Sequence, residues 1–203
     1  MKNLREIEAN TKLVYESEAQ TYYRMRDKTL FEKKWINSFI AKVGSNERVL
    51  DVGCGPADPI AKYIIEQGLE LVGLDYSEAM LSIAKDNFPQ NEWILGDMTK
   101  LSLKQRFKGI IAWNSFFHLN RQQQKETLPL FSNHLVTKGI LIFTAGPENG
   151  EITGKVNGKD VYHSSLSFDE YQKILKLSDM KIIEYKLNDP ECNFHSVYLA
   201  QKI

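Results

Sequence analysis

The sequence predicts an α/β fold: a doubly wound, seven-stranded, mostly parallel sheet with helices on both faces and a C-terminal antiparallel hairpin. Three observations lead there. From residue 44 onward, short apolar runs alternate with stretches of helical periodicity. A glycine turn, Gly53-Cys54-Gly55, directly follows the first apolar run, where a strand feeds a helix in such folds. The last two strand patterns flank NDPECN, which has no room for a crossover helix, so they must pair antiparallel.

Residues 1–43 read as helical, because no glycine or proline interrupts before Gly44. Leu4, Ile7, Leu13 and Val14 fall on one face, and Phe31, Trp35, Ile36, Phe39 and Ile40 form a second apolar stripe. The strands expected next are 48–52, 70–74, 92–95, 109–113, 139–144, 181–187 and 194–200. Helices are expected between them at 57–67, 77–87, 121–136 and 167–178. Asp75 and Ser77 are start signals for one helix; Ser167 with Glu170 forms a capping box for another. Between Gly146 and Ser167 lies an insertion whose Asn157-Gly158 pair marks a type I′ hairpin. That turn sets Val156 opposite Lys159, Lys155 opposite Asp160 and Ile152 opposite His163. One domain is expected over 1–203: a helical lid (1–43), a cofactor-binding half (44–146), the hairpin insertion (147–166) and a C-terminal helix and hairpin (167–203).

Lys+Arg and Asp+Glu both total 26. A balanced charge provides no general field for nucleic acid or an acidic membrane. The longest uncharged apolar-rich run, 109–120, is too short to span a bilayer. Two cysteines, Cys54 and Cys192, make neither a disulfide framework nor a cysteine metal site, and the N-terminal residues show no apolar leader. A cytoplasmic protein with no metal is expected.

The turn 48–60, RVLDVGCGPADPI, invites a nucleotide-like ligand. A dinucleotide needs G-x-G-x-x-G with its pyrophosphate at the helix N-terminus. Gly53 and Gly55 fit, but Asp58 stands third, and no Lys or Arg lies between Val49 and Ala61. Asp51 adds another negative charge. An acid-flanked turn suits a cationic, phosphate-free ligand, whose ammonium Asp51 could bind.

Here VLDVGCGPAD resembles motif I of the class I S-adenosylmethionine-dependent methyltransferases, with Ala57 where that family usually has its third glycine. The resemblance extends, in order, over roughly residues 11–200. LVGLDYS is similar to the end of the family's second strand, which implies that Asp75 takes the ribose hydroxyls and Tyr76 packs on adenine. WILGDMTKLSL resembles the loop after strand three, which implies Asp97 and Met98 as adenine partners. GIIAWNSFFHL resembles the strand-four motif and maps Trp113, Asn114, Phe116 and His118 to the cofactor and substrate wall. NTKLVYESEAQTYY resembles an N-terminal helix that covers the cofactor in relatives, with Tyr15, Ala19 and Tyr22 on one face.

The resemblance implies a Rossmann-like fold and methyl transfer by in-line SN2 displacement. The cofactor carries the activated methyl group, and the protein supplies alignment and, where needed, a base. His163 and His118 are the candidate bases, since histidine titrates near neutral pH. By elimination the acceptor is a small molecule, with Trp35, Phe116, Phe117 and Tyr162 as candidate aromatic lining and a monomer or homodimer as the assembly. Two other classes stay open: a non-catalytic S-adenosylmethionine-binding protein and an NAD(P)-dependent oxidoreductase. Each residue also has a plain structural reading: Asp75 as a helix cap, Met98 and Trp113 as core, Tyr15 and Tyr22 as the inner face of a helix, and the histidines as packed side chains.

Overall fold

The computed structural model describes residues 3–203; the first two positions of the expected lid lie outside it. The helices are α1 (Leu4–Met25), α2 (Lys33–Val43), α3 (Ile60–Glu66), α4 (Glu78–Asn87), α5 (Arg121–His134) and α6 (Phe168–Leu177). The strands are β1 (Arg48–Val52), β2 (Glu70–Asp75), β3 (Glu92–Leu95), β4 (Phe107–Ala112), β5 (Leu135–Ala145), β6 (Gly150–Val156), β7 (Lys159–Ser165), β8 (Met180–Asp189) and β9 (His195–Lys202). Seven of them form one sheet in the order β3-β2-β1-β4-β5-β9-β8. β1 to β5 pair in parallel, and β9 runs antiparallel to both β5 and β8. Among the described residues, no helix is long and apolar enough to cross a membrane.

Central strands covered on both faces read as unbroken apolar runs. In β1, Val49 packs with Ile36, Phe39 and Ile111 on one side of the sheet, while Leu50 packs with Phe116, Phe131 and Phe143 on the other. The inserted hairpin stands apart as a two-stranded sheet. Its register pairs Val156 with Lys159, Lys155 with Asp160 and Ile152 with His163, as the Asn157-Gly158 turn dictates. Lys155 Nζ and Asp160 Oδ1 are 2.8 Å apart.

The expected helical lid over 1–43 is two helices with different jobs. The chain breaks after Met25, where the Arg26 N–H donates to the Tyr22 carbonyl and Asp27 accepts from the Thr29 N–H at 2.8 Å. Such an Asx turn offers the backbone an alternative to the helix. Only α1 covers the C-terminal strand ends, against α4 and the hairpin. α2 is core: Trp35 is buried and donates to Asp189 at 2.8 Å, which removes it from any acceptor pocket. α5 also ends earlier than expected, at His134, because β5 begins at Leu135.

Candidate functional site

The C-terminal ends of β1, β2 and β4 meet beneath α1 around an open cavity. Its wall includes Tyr15, Tyr22, Asp51, Gly53, Gly55, Asp75, Tyr76, Met98, Trp113 and His118, so all but one of the expected cofactor residues are brought together. Asp97 is the exception. It faces an adjoining open space that it shares with Tyr76 and Met98, and its Oδ1 accepts from the Thr99 N–H at 2.9 Å.

Two glycines shape the floor for different reasons. Gly53 has φ +74°, and a Cβ there would lie 2.3 Å from Ser115 Cβ. Ser115 is in turn fixed by donating its hydroxyl to the Val52 carbonyl at 2.6 Å. Gly55, at φ +53°, has nothing within 4 Å of a Cβ position, so its backbone faces open space. Its N–H donates to Asp75 Oδ2 at 2.9 Å, and the Ser77 N–H donates to Oδ1 at the same distance. Asp75 is thereby held across the turn. Burial still raises its pKa, against the lowering effect of those N–H groups.

Asp51 differs. It is 4% exposed, lines the cavity, and its carboxyl group has no hydrogen-bond partner among the described residues. Burial, then the neighbouring Asp75 carboxylate, pushes its pKa up to about 8. A buried acid beside another acid is a site prepared for a cation. Trp113 Nε1 and Asn114 Oδ1, both buried, also lack hydrogen-bond partners among the described residues, and both residues belong to the same wall. Asn114 is held in the left-handed region (φ +50°), with its N–H donating to Thr144 Oγ1 at 2.9 Å.

Asp58 is already neutralised by Lys28, at 2.8 Å. The sequence shows no cation near the turn, but the segment after α1 brings one. Asp58 therefore no longer argues for a cationic ligand, and that argument rests on Asp51 and Asp75. Cys54 is buried, and burial raises its thiol pKa well above the usual value, so it stays protonated.

His118 does not meet the expectation of a base. Its Nδ1 lies 2.9 Å from the Tyr162 carbonyl, which can only accept, so Nδ1 carries the proton. Nε2 is then bare, and it accepts from the Tyr15 hydroxyl at 2.8 Å. Both nitrogens are committed. Burial, with His163 nearby, lowers the His118 pKa to about 3.

His163 lies in a second cavity, with Phe117, Glu148, Ile152, Asn193 and His195 among its walls. The ring nitrogens of His163 and His195 have no hydrogen-bond partner among the described residues. Burial, then His195, lowers the His163 pKa to about 4. The ring lies over Gly154, where a Cβ would fall 2.3 Å from its Cε1. Of the four aromatics expected to line an acceptor pocket, Phe117 lines this cavity. Phe116 is fully buried in the core, and Tyr162 is buried with its hydroxyl donating to Glu151.

Three contributors escaped sequence reasoning. Arg26 lines the first cavity and pairs with the buried Glu32. Ser115 sets the space above Gly53. Glu16, on α1, accepts from the Ser77 hydroxyl at 2.6 Å and the Ala79 N–H at 3.2 Å, docking α1 on the N-terminus of α4. Ser115 and Glu16 lie inside the quoted motifs GIIAWNSFFHL and NTKLVYESEAQTYY, but their partners Val52 and Ser77 are more than 60 residues away, and Arg26 lies outside every quoted motif. Among the described residues, no group of three or more His, Cys, Asp or Glu side chains is arranged to hold a metal ion.

Residues 49–139 match the model of a methyltransferase domain family. The chain is 25% identical over 138 residues to an uncharacterized methyltransferase of Alkaliphilus oremlandii, across 64% of this chain and 63% of that one. It is 35% identical over 71 residues to a demethylmenaquinone methyltransferase of Renibacterium salmoninarum, across 34% of this chain and 30% of that one. The matches thus span less than two thirds of these relatives' own length. Among solved structures, a 1,6-didemethyltoxoflavin-N1-methyltransferase of Burkholderia thailandensis, with S-adenosylhomocysteine bound, superposes with a TM-score of 0.75 at 15% identity. That alignment covers 100% of this chain and 91% of the other, and it shows a shared fold. The family model over residues 49–139, the relatives and the strand order agree in likening the chain to S-adenosylmethionine-dependent methyltransferases.

Proposed function

We propose that the protein binds S-adenosylmethionine beneath α1 and transfers its methyl group to a small-molecule acceptor. The observation that carries this reading is Asp51, a buried carboxyl group with no hydrogen-bond partner among the described residues, beside the buried acid Asp75. The residues present fit the cofactor. Asp51 and Asn114 Oδ1 would take the ammonium, Arg26 the carboxylate at the same end, and Asp75 the ribose hydroxyls. Tyr76, Asp97 and Met98 would hold the adenine. When bound, the cofactor supplies a methyl group already activated on a sulfonium.

The chain's own part is alignment, exclusion of water and proton handling. α1 closes the cavity from above, latched by Glu16 at one end and by Lys28 on Asp58 at the other. His118 orients Tyr15. With its hydroxyl proton committed to His118, Tyr15 turns its oxygen lone pairs toward the cavity. His163 is the candidate left to receive an acceptor's proton, because its ring nitrogens carry no hydrogen bond among the described residues.

Titration calorimetry with S-adenosylmethionine, S-adenosylhomocysteine and NAD tests the binding half. The two sulfur compounds are expected to bind and NAD is not; the reverse pattern overturns the reading. Transfer of labelled methyl to a metabolite panel tests catalysis against a role in binding alone.

A further inference from the structure

Among the described residues, Arg26 is the only Lys or Arg in the wall of the cavity beneath α1. Its Nη2 donates to Glu32 Oε1 at 2.5 Å. A guanidinium carries its N–H donors in a rigid planar fork, which matches a carboxylate two bonds at a time. Here the pairing is single. The rest of the fork has no hydrogen-bond partner among the described residues, and the side chain that carries it lines the cavity.

Glu32 is the fixed member of the pair. It is fully buried where α2 begins, and its backbone carbonyl accepts from the Trp35 N–H at 2.9 Å and the Ile36 N–H at 3.2 Å. Trp35 and Ile36 are packed in the core, so this turn cannot follow a moving side chain. Glu32 Oε2 is buried with no partner among the described residues. A guanidinium that swung away from Glu32 would strand a buried charge, which holds Arg26 in place. The pair also clips the two ends of the break between the helices, since Arg26 caps α1 and Glu32 precedes α2. Inside that break Leu30 sits at φ +54°, a conformation that a leucine keeps only where its surroundings enforce it.

The other charges of the wall have the wrong sign for a carboxylate. Asp51 and Asp75 suit the ammonium and the ribose, and Asp58 is paired with Lys28. The ammonium and carboxylate of the methyl donor are borne on one carbon, so a partner for each must stand in the same wall. We infer that Glu32 is a positioning residue. Through its bond to Arg26 it holds the free edge of the guanidinium for the donor's carboxylate, and so makes the site select ligands with an intact amino-acid end. The inference rests on the methyl-donor reading above.

The test uses the full chain and two ligands that differ in the carboxylate alone. S-adenosylhomocysteine and its decarboxylated analogue, S-adenosyl-3-thiopropylamine, both keep the ammonium for Asp51. Calorimetry gives the ratio of their affinities. The wild type is expected to prefer S-adenosylhomocysteine about tenfold or more, the worth of one charge-assisted hydrogen bond. Glu32→Gln keeps an oxygen acceptor at the same reach and should keep that ratio. Glu32→Asp keeps the charge but shortens the arm by a methylene, which draws the guanidinium back from the cavity. Its ratio should fall about threefold or more, with the affinity for the analogue unchanged. A merely structural Glu32 would lower the melting temperature and both affinities together and leave the ratio as in the wild type; that result in Glu32→Asp overturns the inference. Equal binding of the two compounds by the wild type also overturns it, while the methyl-donor reading stands. If neither compound binds, the methyl-donor reading falls and the inference with it.

Discussion

The Tyr15 hydroxyl donates to His118 Nε2 at 2.8 Å because the other ring nitrogen is spent on the Tyr162 carbonyl. This one bond joins the covering helix to the turn after β4, across 103 positions of sequence. Tyr15→Phe leaves a buried ring nitrogen without a donor, which costs about 1–3 kcal/mol. Chemical denaturation should report that loss, and calorimetry should show weaker S-adenosylhomocysteine binding because the helix that covers the site is released.

Asp51 is expected to oppose stability while serving binding. Its folded pKa of about 8 lies above the unfolded value, so its contribution to stability is fully present below the unfolded pKa. It is lost as pH rises through 4 to 8. Asp51→Asn removes that loss. The ligand-free variant should melt higher than the wild type at pH 8 and equally at pH 4, yet bind S-adenosylmethionine far more weakly. A lower melting temperature at pH 8 would contradict this account.

The histidines act in the opposite direction. His118 and His163 have folded pKa values of about 3 and about 4, below the unfolded value near 6.5. Below pH 6.5 the unfolded chain takes up protons that the folded chain refuses, so stability falls as pH drops toward 4. His163→Gln should flatten that decline between pH 6.5 and 4, measured by urea midpoints. An unchanged slope would remove His163 from the explanation.

The two glycines of the turn should separate in their cost. Gly55→Ala meets no atoms but keeps a left-handed φ, a cost of about 1–2 kcal/mol. Gly53→Ala adds a clash with Ser115 Cβ at 2.3 Å and should cost clearly more. Melting temperatures of the two variants, with and without S-adenosylhomocysteine, give the comparison. Equal losses would show that Ser115 yields.

Much of this was legible where the controlling physics is local. The Asn157-Gly158 turn specified the register of its hairpin, because a two-residue loop of that type leaves one pairing. Ser167 and Glu170 formed the capping box that their spacing announced. The acids at the ends of β1 and β2 were legible because each follows directly on an apolar run. The break after Met25 was missed, since the Asx turn of Asp27 and Thr29 is quieter than a proline or a glycine.

By itself the sequence determined the order of strands and helices, the ligand turn and the acids around it, because periodicity, turn chemistry and capping act over a few residues. Only the tertiary structure decided the state of those groups. It neutralised Asp58 with Lys28, left Asp51 alone in a buried wall and spent both nitrogens of His118. It packed both His163 and His195 against Phe117. Burial and the identity of a remote partner fix a side chain's charge and hydrogen bonds, and neither is a property of its neighbours in the chain.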